Sequence, residues 1–270
     1  MLRLSQGHLS LLAMCPRKFQ HVVLDQMGSP EDIDQQARLQ QGARFHLLLQ
    51  QWLLQLPVEP IVQADLQLQQ WFAAFKEAAP RILAAGEQQA ESDRLLELDG
   101  YLLTVRYDLL ITGDDYAKIL DWKTYPRPQK TQRLEQHWQT RLYPFVLAET
   151  SAYLPEQIAM VYWFFQSDRE SSTPQSLTLQ YNSHKHEATR QELTHLLAQL
   201  THHLERFQMG EPLPQLGWGS RPCEECAFAP RCGRGQVDAD GWLQDGGKEE
   251  AQGDRLPDLL TLAEIEEVPL

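Results

Sequence analysis

The sequence predicts an α/β fold in which helices come first, an apolar antiparallel meander follows, and further strands and a long helix close the chain. Two observations carry this. Apolar residues recur at helical spacing over roughly the first 80 positions. The block "RLLELDGYLLTVRYDLLITGDDYAKILDWKT", from Arg94 to Thr124, then switches to strand texture and is cut by two turn signals. At 270 residues the chain can bury a sizeable core as one large domain or two small ones.

Taken in order, residues 7 to 24 read as a helix with Leu9, Leu12, Phe19 and Val23 on its apolar face. A polar break follows at "DQMGSPEDID". A second helix, Gln35 to Leu56, places Leu39, Gly42, Phe45, His46, Leu49 and Leu53 on one face. His46 on an apolar stripe is either a hydrogen-bonded core residue or a ligand, and Gly42 marks a close approach at the same face. A third helix, roughly Ile61 to Ala85, carries Trp71, Phe72 and Phe75 and runs into "AAGEQQAESD", which reads as a polar linker. Asp99-Gly100 is a strong hairpin signal, and "TGDDY" makes the second turn. A helix from about Thr131 to Glu149 puts Gln139 and Tyr143 one turn apart. "QIAMVYWFF" and "SLTLQY" read as paired strands, and a helix from about His184 to Met209 leads to a cysteine-rich loop. The histidines of that helix, at 195, 202 and 203, match no metal spacing and read as surface residues.

Composition bounds the function. The charged fraction of 23% and apolar fraction of 42% are those of a soluble globular protein, and no apolar run approaches the roughly 20 residues of a bilayer span. The start, "MLRLSQGHLSLLAMCP", loosely matches a lipoprotein cleavage site at Cys15. But Met14 is not small, and Gln6 and His8 interrupt the apolar run. A cytoplasmic location is expected. The net charge of −13 argues at first against a polyanionic partner. It is uneven, however: residues 236–270 carry ten acids against Lys248 and Arg255. That tail is expected to be flexible or peripheral, either a solvated terminus or a docking segment or nucleic-acid mimic.

Three of the four cysteines, Cys223, Cys226 and Cys232, fall within "RPCEECAFAPRC"; the fourth is Cys15. A Pro-, Glu- and Arg-rich loop is a poor place for core thiols, and disulfides are unlikely in a reducing compartment. A metal centre is the better account. Four thiolates suit zinc or a four-iron cluster on chemistry alone. The one-plus-three split, with spacings x2 and x5, favours the iron–sulfur cluster over the paired knuckles of zinc ribbons. Either centre would staple the N-terminal segment to the C-terminal region.

Two carboxylates stand in strands too apolar to welcome them unpaired: Asp108 in "VRYDLLI" and Asp121 in "KILDWKT". With Asp114-Asp115 as the turn, Asp108 lies directly opposite Asp121, with Cβ atoms about 4.5–5.5 Å apart. A Gly113-Asp114 turn would put them on a diagonal instead. Lys123 shares a face with Asp121. Buried carboxylates this close repel unless a cation joins them, and hard oxygen ligands suit magnesium or manganese. Lys123 is placed to orient a nucleophilic water or to stabilise developing negative charge. Arg127, Lys130 and Arg133 follow as candidate phosphate contacts or as ordinary surface bases.

"GARFHLLL", "VRYDLLI", "ILDWKT" and "QTRLYPFVLAE", in that order, resemble the successive motifs of PD-(D/E)XK nucleases of the RecB type: a helical histidine, an aspartate, Asp-x-Lys and Gln-x3-Tyr. With the single upstream cysteine and Cys-x2-Cys-x5-Cys near the end, the chain is similar to the iron–sulfur branch, which includes CRISPR-associated RecB-like exonucleases and the AddB nuclease domain. The likeness spans roughly residues 5 to 235. It implies a restriction-endonuclease-like mixed central sheet flanked by helices, with a helical cap around the cluster. One nuclease domain, 1–235, would have both ends joined by the staple.

Carried over by position, the resemblance implies that His46, Asp108 and Asp121 hold Mg2+ or Mn2+, with the Trp122 carbonyl as a further ligand. Lys123 would be the catalytic lysine, and Gln139 and Tyr143 would position it or the DNA. Cys15, Cys223, Cys226 and Cys232 would bind a [4Fe-4S] cluster. Tyr107 stands where the motif's name has proline. The implied activity is a metal-dependent exonuclease on single-stranded DNA or DNA ends, as in DNA repair. The alternatives are a nuclease subunit partnered by a helicase or CRISPR-adaptation proteins, and a non-catalytic DNA-binding module. No G-x4-G-K-[ST] phosphate loop occurs, so any motor would be a partner.

Overall fold

A computed structural model of the chain describes residues 1–28, 33–83, 86–166 and 173–234. The acidic tail, 236–270, lies outside them. Among the described residues six strands form one mixed sheet: β1 (Arg3–Leu4), β2 (Glu87–Leu98), β3 (Tyr101–Thr112), β4 (Ala117–Lys123), β5 (Ile158–Phe164) and β6 (Gln175–Gln180). β3 pairs antiparallel with β2 along one edge. Its other edge carries β1, parallel, at its start and β4, antiparallel, at its end. β4 then pairs parallel with β5, and β5 antiparallel with β6.

A parallel β4–β5 pair needs a crossover. α6 (Thr131–Gln136) and α7 (Trp138–Glu149) supply it. Between β1 and β2 come α1 (Gln6–Met14), α2 (Pro16–Phe19), a π-helical turn (Gln20–Leu24), α3 (Ile33–Leu53), α4 (Glu59–Gln63) and α5 (Leu66–Ile82). α8 (Ser183–Gln208) follows β6. Among the described residues no helix is long and apolar enough to cross a membrane.

The sheet separates two cores. Leu9, Leu12, Phe19, Tyr107, Phe145, Tyr162 and Leu197 pack on one face; Phe45, Leu49, Phe72, Phe75, Leu109, Trp122 and Phe165 pack on the other. β4 lies between β3 and β5 with helices over both faces. That is why "ILDWK" is buried throughout, the charged Asp121 and Lys123 included.

The turns form as the sequence predicts. Asp99 and Gly100 both have positive φ, 50° and 84°, which a tight two-residue hairpin requires. The Gly113 amide donates to the Tyr116 carbonyl at 2.9 Å, so Asp114 and Asp115 are the central residues of the second turn.

Four expectations need correction. The helix read from Ile61 is two helices, because Asp65 is extended and its side chain caps α5 by accepting from the Gln67 and Leu68 amides. The first helix is not continuous: Cys15 is extended (φ −159°, ψ 108°), because the ring of Pro16 disfavours the helical region for the residue before it. The predicted helix over Thr131–Glu149 breaks at His137, which is also extended (φ −61°, ψ 143°). And "AAGEQQAESD" is no linker from Glu87 onward, because β2 begins there and pairs along the length of β3 except at Glu91.

β3 also changes phase. Leu103, Val105 and Tyr107 enter the first core, whereas Leu109 and Ile111 enter the second. A regular strand keeps residues i, i+2 and i+4 on one face, so the pleat resets at Asp108. β2 breaks at the matching position. Glu91 has φ 49° and drops out of the ladder between Ala90↔Leu109 and Ser92↔Tyr107. A left-handed non-glycine residue costs about 1–2 kcal/mol, and such strain clusters at functional sites.

The second core holds β4 in place through aromatic contacts. Phe75 meets Trp122 edge-on at 5.7 Å and Trp52 at 5.2 Å. Phe75→Ala is expected to cost about 3–5 kcal/mol, read as a lowered urea midpoint with an unchanged slope.

Candidate active site

At the C-terminal end of β4 the predicted residues form two neighbouring groups, His46 and Asp108 around the Trp122 peptide, and Asp121, Lys123 and Gln139. The β3–β4 ladder stops at Leu109↔Leu120, in the register that places Asp108 opposite Asp121. Beyond it the Asp108 side chain replaces the ladder: its Oδ2 accepts from the Trp122 amide at 2.7 Å. From α3, His46 brings both ring nitrogens to the same peptide neighbourhood. Nδ1 lies 3.1 Å from Asp108 Oδ1, and Nε2 lies 2.8 Å from the Trp122 carbonyl. The His46 and Asp108 side chains are 21% and 11% exposed, so the group is reachable from solvent. Gly42, one turn before His46, makes this docking possible: a Cβ there would meet Thr124 Oγ1 at 3.2 Å.

The other half of the site is dry. Lys123 is 2% exposed. Its ammonium lies 2.7 Å from Asp121 Oδ1 and donates to Gln139 Oε1 at 3.1 Å. The Gln139 amide returns to Asp121 Oδ2 at 2.6 Å, closing a ring of three side chains. Gln139 reaches the ring because α7 starts at Trp138, just past the His137 break. Beneath the ammonium, 5.6 Å away, lies the ring of Tyr162. Burial, and after it the Asp121 charge, push Tyr162 well above the usual tyrosine range. It stays neutral and shares a hydrogen bond with Thr140 Oγ1 at 2.7 Å.

Tyr143 lies one turn past Gln139 and is buried. Its ring meets Tyr107 at 5.4 Å, and its backbone carbonyl accepts from the Tyr107 hydroxyl at 3.0 Å. Tyr107, at the position named for proline, therefore anchors α7 to β3. Arg127, Lys130 and Arg133 are exposed, and Arg127 donates to the Ser176 carbonyl at 3.2 Å.

Glu91 is a site residue that the sequence reading assigned to the linker. It is half-buried opposite Asp108. Burial, and then the Asp108 carboxylate, push its pKa up to about 7 against the opposing effect of His46. Extending the Asp99-Gly100 hairpin by its own register would have found it, since Glu91 precedes that turn by as many residues as Asp108 follows it.

The four cysteines line one cavity together with Lys18, Leu216, Phe228 and Arg234, and none is in a disulfide. The Arg234 guanidinium donates to Cys223 Sγ at 2.8 Å. Burial pushes the Cys232 thiol up, and Arg17 opposes that shift. Contacts between the chain's two ends bring Cys15 to this cavity: Arg17 Nε donates to the Leu213 carbonyl at 2.6 Å, the Leu213 amide donates to Gln20 Oε1 at 2.8 Å, and His21 meets Phe228 at 5.1 Å.

Among the described residues no three Cys, His, Asp or Glu side chains stand at metal-holding spacing. The test of fit is therefore donor chemistry. A neutral imidazole has one N–H, yet both nitrogens of His46 face acceptors. A divalent cation among imidazole, carboxylates and carbonyl would resolve that mismatch, and oxygen-rich donors suit Mg2+ or Mn2+. Four thiols on one cavity, beside Lys18, Arg17 and Arg234, suit a thiolate-bound centre.

A profile of the PD-(D/E)XK nuclease superfamily matches residues 3–233. No curated protein matches the chain. Solved structures do. One, from Eubacterium rectale and described as a "Putative exonuclease", aligns over 82% of this chain and 86% of its own, with TM-score 0.51 and 10% identity. Another, SSO0001, aligns over 85% of each chain with TM-score 0.36 and 14% identity.

The raised Glu91 pKa sets a pH dependence in metal-free protein. The folded state holds this proton more tightly than the unfolded chain, so its stabilising contribution is complete below the unfolded value of 4.5 and is lost as pH rises through about 7. Thermal melts in chelator should show wild type losing stability across that window relative to Glu91→Gln.

Proposed function

The chain belongs to the PD-(D/E)XK nuclease superfamily, and from that premise we propose that it is a divalent-metal-dependent deoxyribonuclease of the RecB-like iron–sulfur branch, acting exonucleolytically on single-stranded DNA or DNA ends. The observation that carries this is the closed ring of Asp121, Lys123 and Gln139 beside the His46–Asp108–Trp122 group. A buried ammonium locked to a carboxylate at the mouth of a sheet is costly as a structural device. It is the arrangement that phosphodiester hydrolysis needs.

His46, Asp108, Asp121 and the Trp122 carbonyl would hold Mg2+ or Mn2+. Once bound, the cation supplies Lewis-acid polarisation of the phosphate and an activated water. The chain's own groups do the rest. Lys123 places positive charge, in a water-poor site, where negative charge develops on the phosphate. Gln139 holds Lys123 and Asp121 in register, so neither swings into the other's place. Tyr143, braced by Tyr107, fixes the turn of α7 that presents Gln139. The exposed bases Arg127, Lys130 and Arg133 offer contacts to flanking phosphates, and binding through them should weaken as salt rises. Cys15, Cys223, Cys226 and Cys232 would bind a [4Fe-4S] cluster that fastens the chain's two ends together; its role is structural.

End-labelled single-stranded DNA with Mg2+ or Mn2+ tests the chemistry. Wild type should release short products, and Lys123→Ala and Asp121→Ala should each lower turnover by about 10²–10³-fold. DNA binding with no cleavage by wild type would leave a binding module instead. For the second centre, anaerobically purified protein should be brown, with iron and acid-labile sulfide in equal amounts. Cys226→Ser should lose that colour and melt at lower temperature. A colourless wild type carrying zinc would overturn the iron assignment.

A further inference from the structure

We infer that Glu91 is a third carboxylate ligand of the active-site cation, presented to it by the paired break in β2 and β3. The inference rests on the proposed nuclease site and adds a residue to it.

Two observations of backbone geometry converge, and a third, on burial and charge, agrees with them. First, Glu91 stands opposite Asp108: the ladder runs in one register on either side, Ala90↔Leu109 and Ser92↔Tyr107, and omits only this pair. Second, the omission is built into both strands. Glu91 adopts φ 49°, and β3 changes the core its odd residues face between Tyr107 and Leu109. An ordinary strand residue in place of this break would keep the ladder paired and carry its alternation through. Third, Glu91 is half-buried, and the charges that act on it most strongly are Asp108, then His46, then Arg106.

Arg106 does not neutralise the pair by itself. It is exposed, and its guanidinium is engaged with Asp93, at 2.7 Å from Nε and 3.1 Å from Nη2. Two half-buried carboxylates beside an imidazole on a strained backbone are what a divalent cation stabilises. β2 therefore does more than close the sheet edge: it sets an acid at the position opposite Asp108.

Mn2+ uptake by the full chain, followed by the loss of free Mn2+ EPR signal, reads this without reference to cleavage. Wild type, Glu91→Gln, Glu91→Asp, Asp108→Asn and the exposed control Glu97→Gln are compared, with circular dichroism confirming the fold of each. Glu91→Gln should weaken Mn2+ binding about ten-fold. Glu91→Asp should restore part of it, and Glu97→Gln should match wild type. In cleavage assays the Glu91→Gln defect should shrink as Mn2+ is raised. A folded Glu91→Gln protein with wild-type affinity, while Asp108→Asn has lost binding, would overturn this inference and leave the nuclease site standing. A wild type that takes up no Mn2+ would remove both.

Discussion

A lysine ammonium buried under a sheet is the constraint around which the rest of this molecule is arranged. Lys123 is 2% exposed, and moving such a charge out of water costs several kcal/mol unless partners replace the lost solvent. Asp121 supplies the countercharge and Gln139 ties the two together. Each requirement fixes a piece of fold. Asp121 and Lys123 share a face only because β4 is a regular strand at that point. Gln139 is within reach only because α7 starts afresh after His137. Tyr162 must stay neutral beneath the ammonium, and its burial ensures that it does. The parallel β4–β5 pairing, with Asp121 beside Tyr162, sets that floor.

The second half of the site depends on one peptide. Trp122 turns its side chain into the aromatic core beside Phe75 and Phe165, which leaves its amide for Asp108 and its carbonyl for His46. Packing on one face of β4 thus sets the geometry of the polar groups at its end. The same logic explains Gly42. α3 must approach the residue after Lys123 closely for His46 to reach the peptide, and a side chain at 42 would press on Thr124.

Much of this could be read in the sequence, for a physical reason. Regular elements announce themselves by period and by turn chemistry. Asp99-Gly100 marked one hairpin register, and of the two turns read for the second hairpin, Asp114-Asp115, the one the structure adopts, places Asp108 opposite Asp121. Apolar neighbours marked both acids as out of place. What was missed is what has no period. Pro16 and His137 interrupt helices whose apolar spacing continues across the break. Glu91 lies in a strand whose polar composition hides it, because β2 is an edge strand with much of its surface exposed. The phase change at Asp108 follows from tertiary packing on two different cores, which no local pattern encodes.

Direct contacts join the N-terminal helices to the segment around the cysteine loop. Arg17 and Leu213 hydrogen-bond across 196 positions of sequence, Gln20 and Leu213 across 193, and His21 lies against Phe228. Such contacts bring Cys15 to the cavity shared with Cys223, Cys226 and Cys232. A centre bound there would reinforce these contacts. Its main effect would fall on the unfolded chain, where closing a loop of that length removes the most freedom. The junction packs on α1 and α2, which lie against the same core as Tyr107 and α7. A loosened junction would therefore be transmitted through this core toward the helix that presents Gln139, so the thiol cavity and Lys123 are linked by one packed layer.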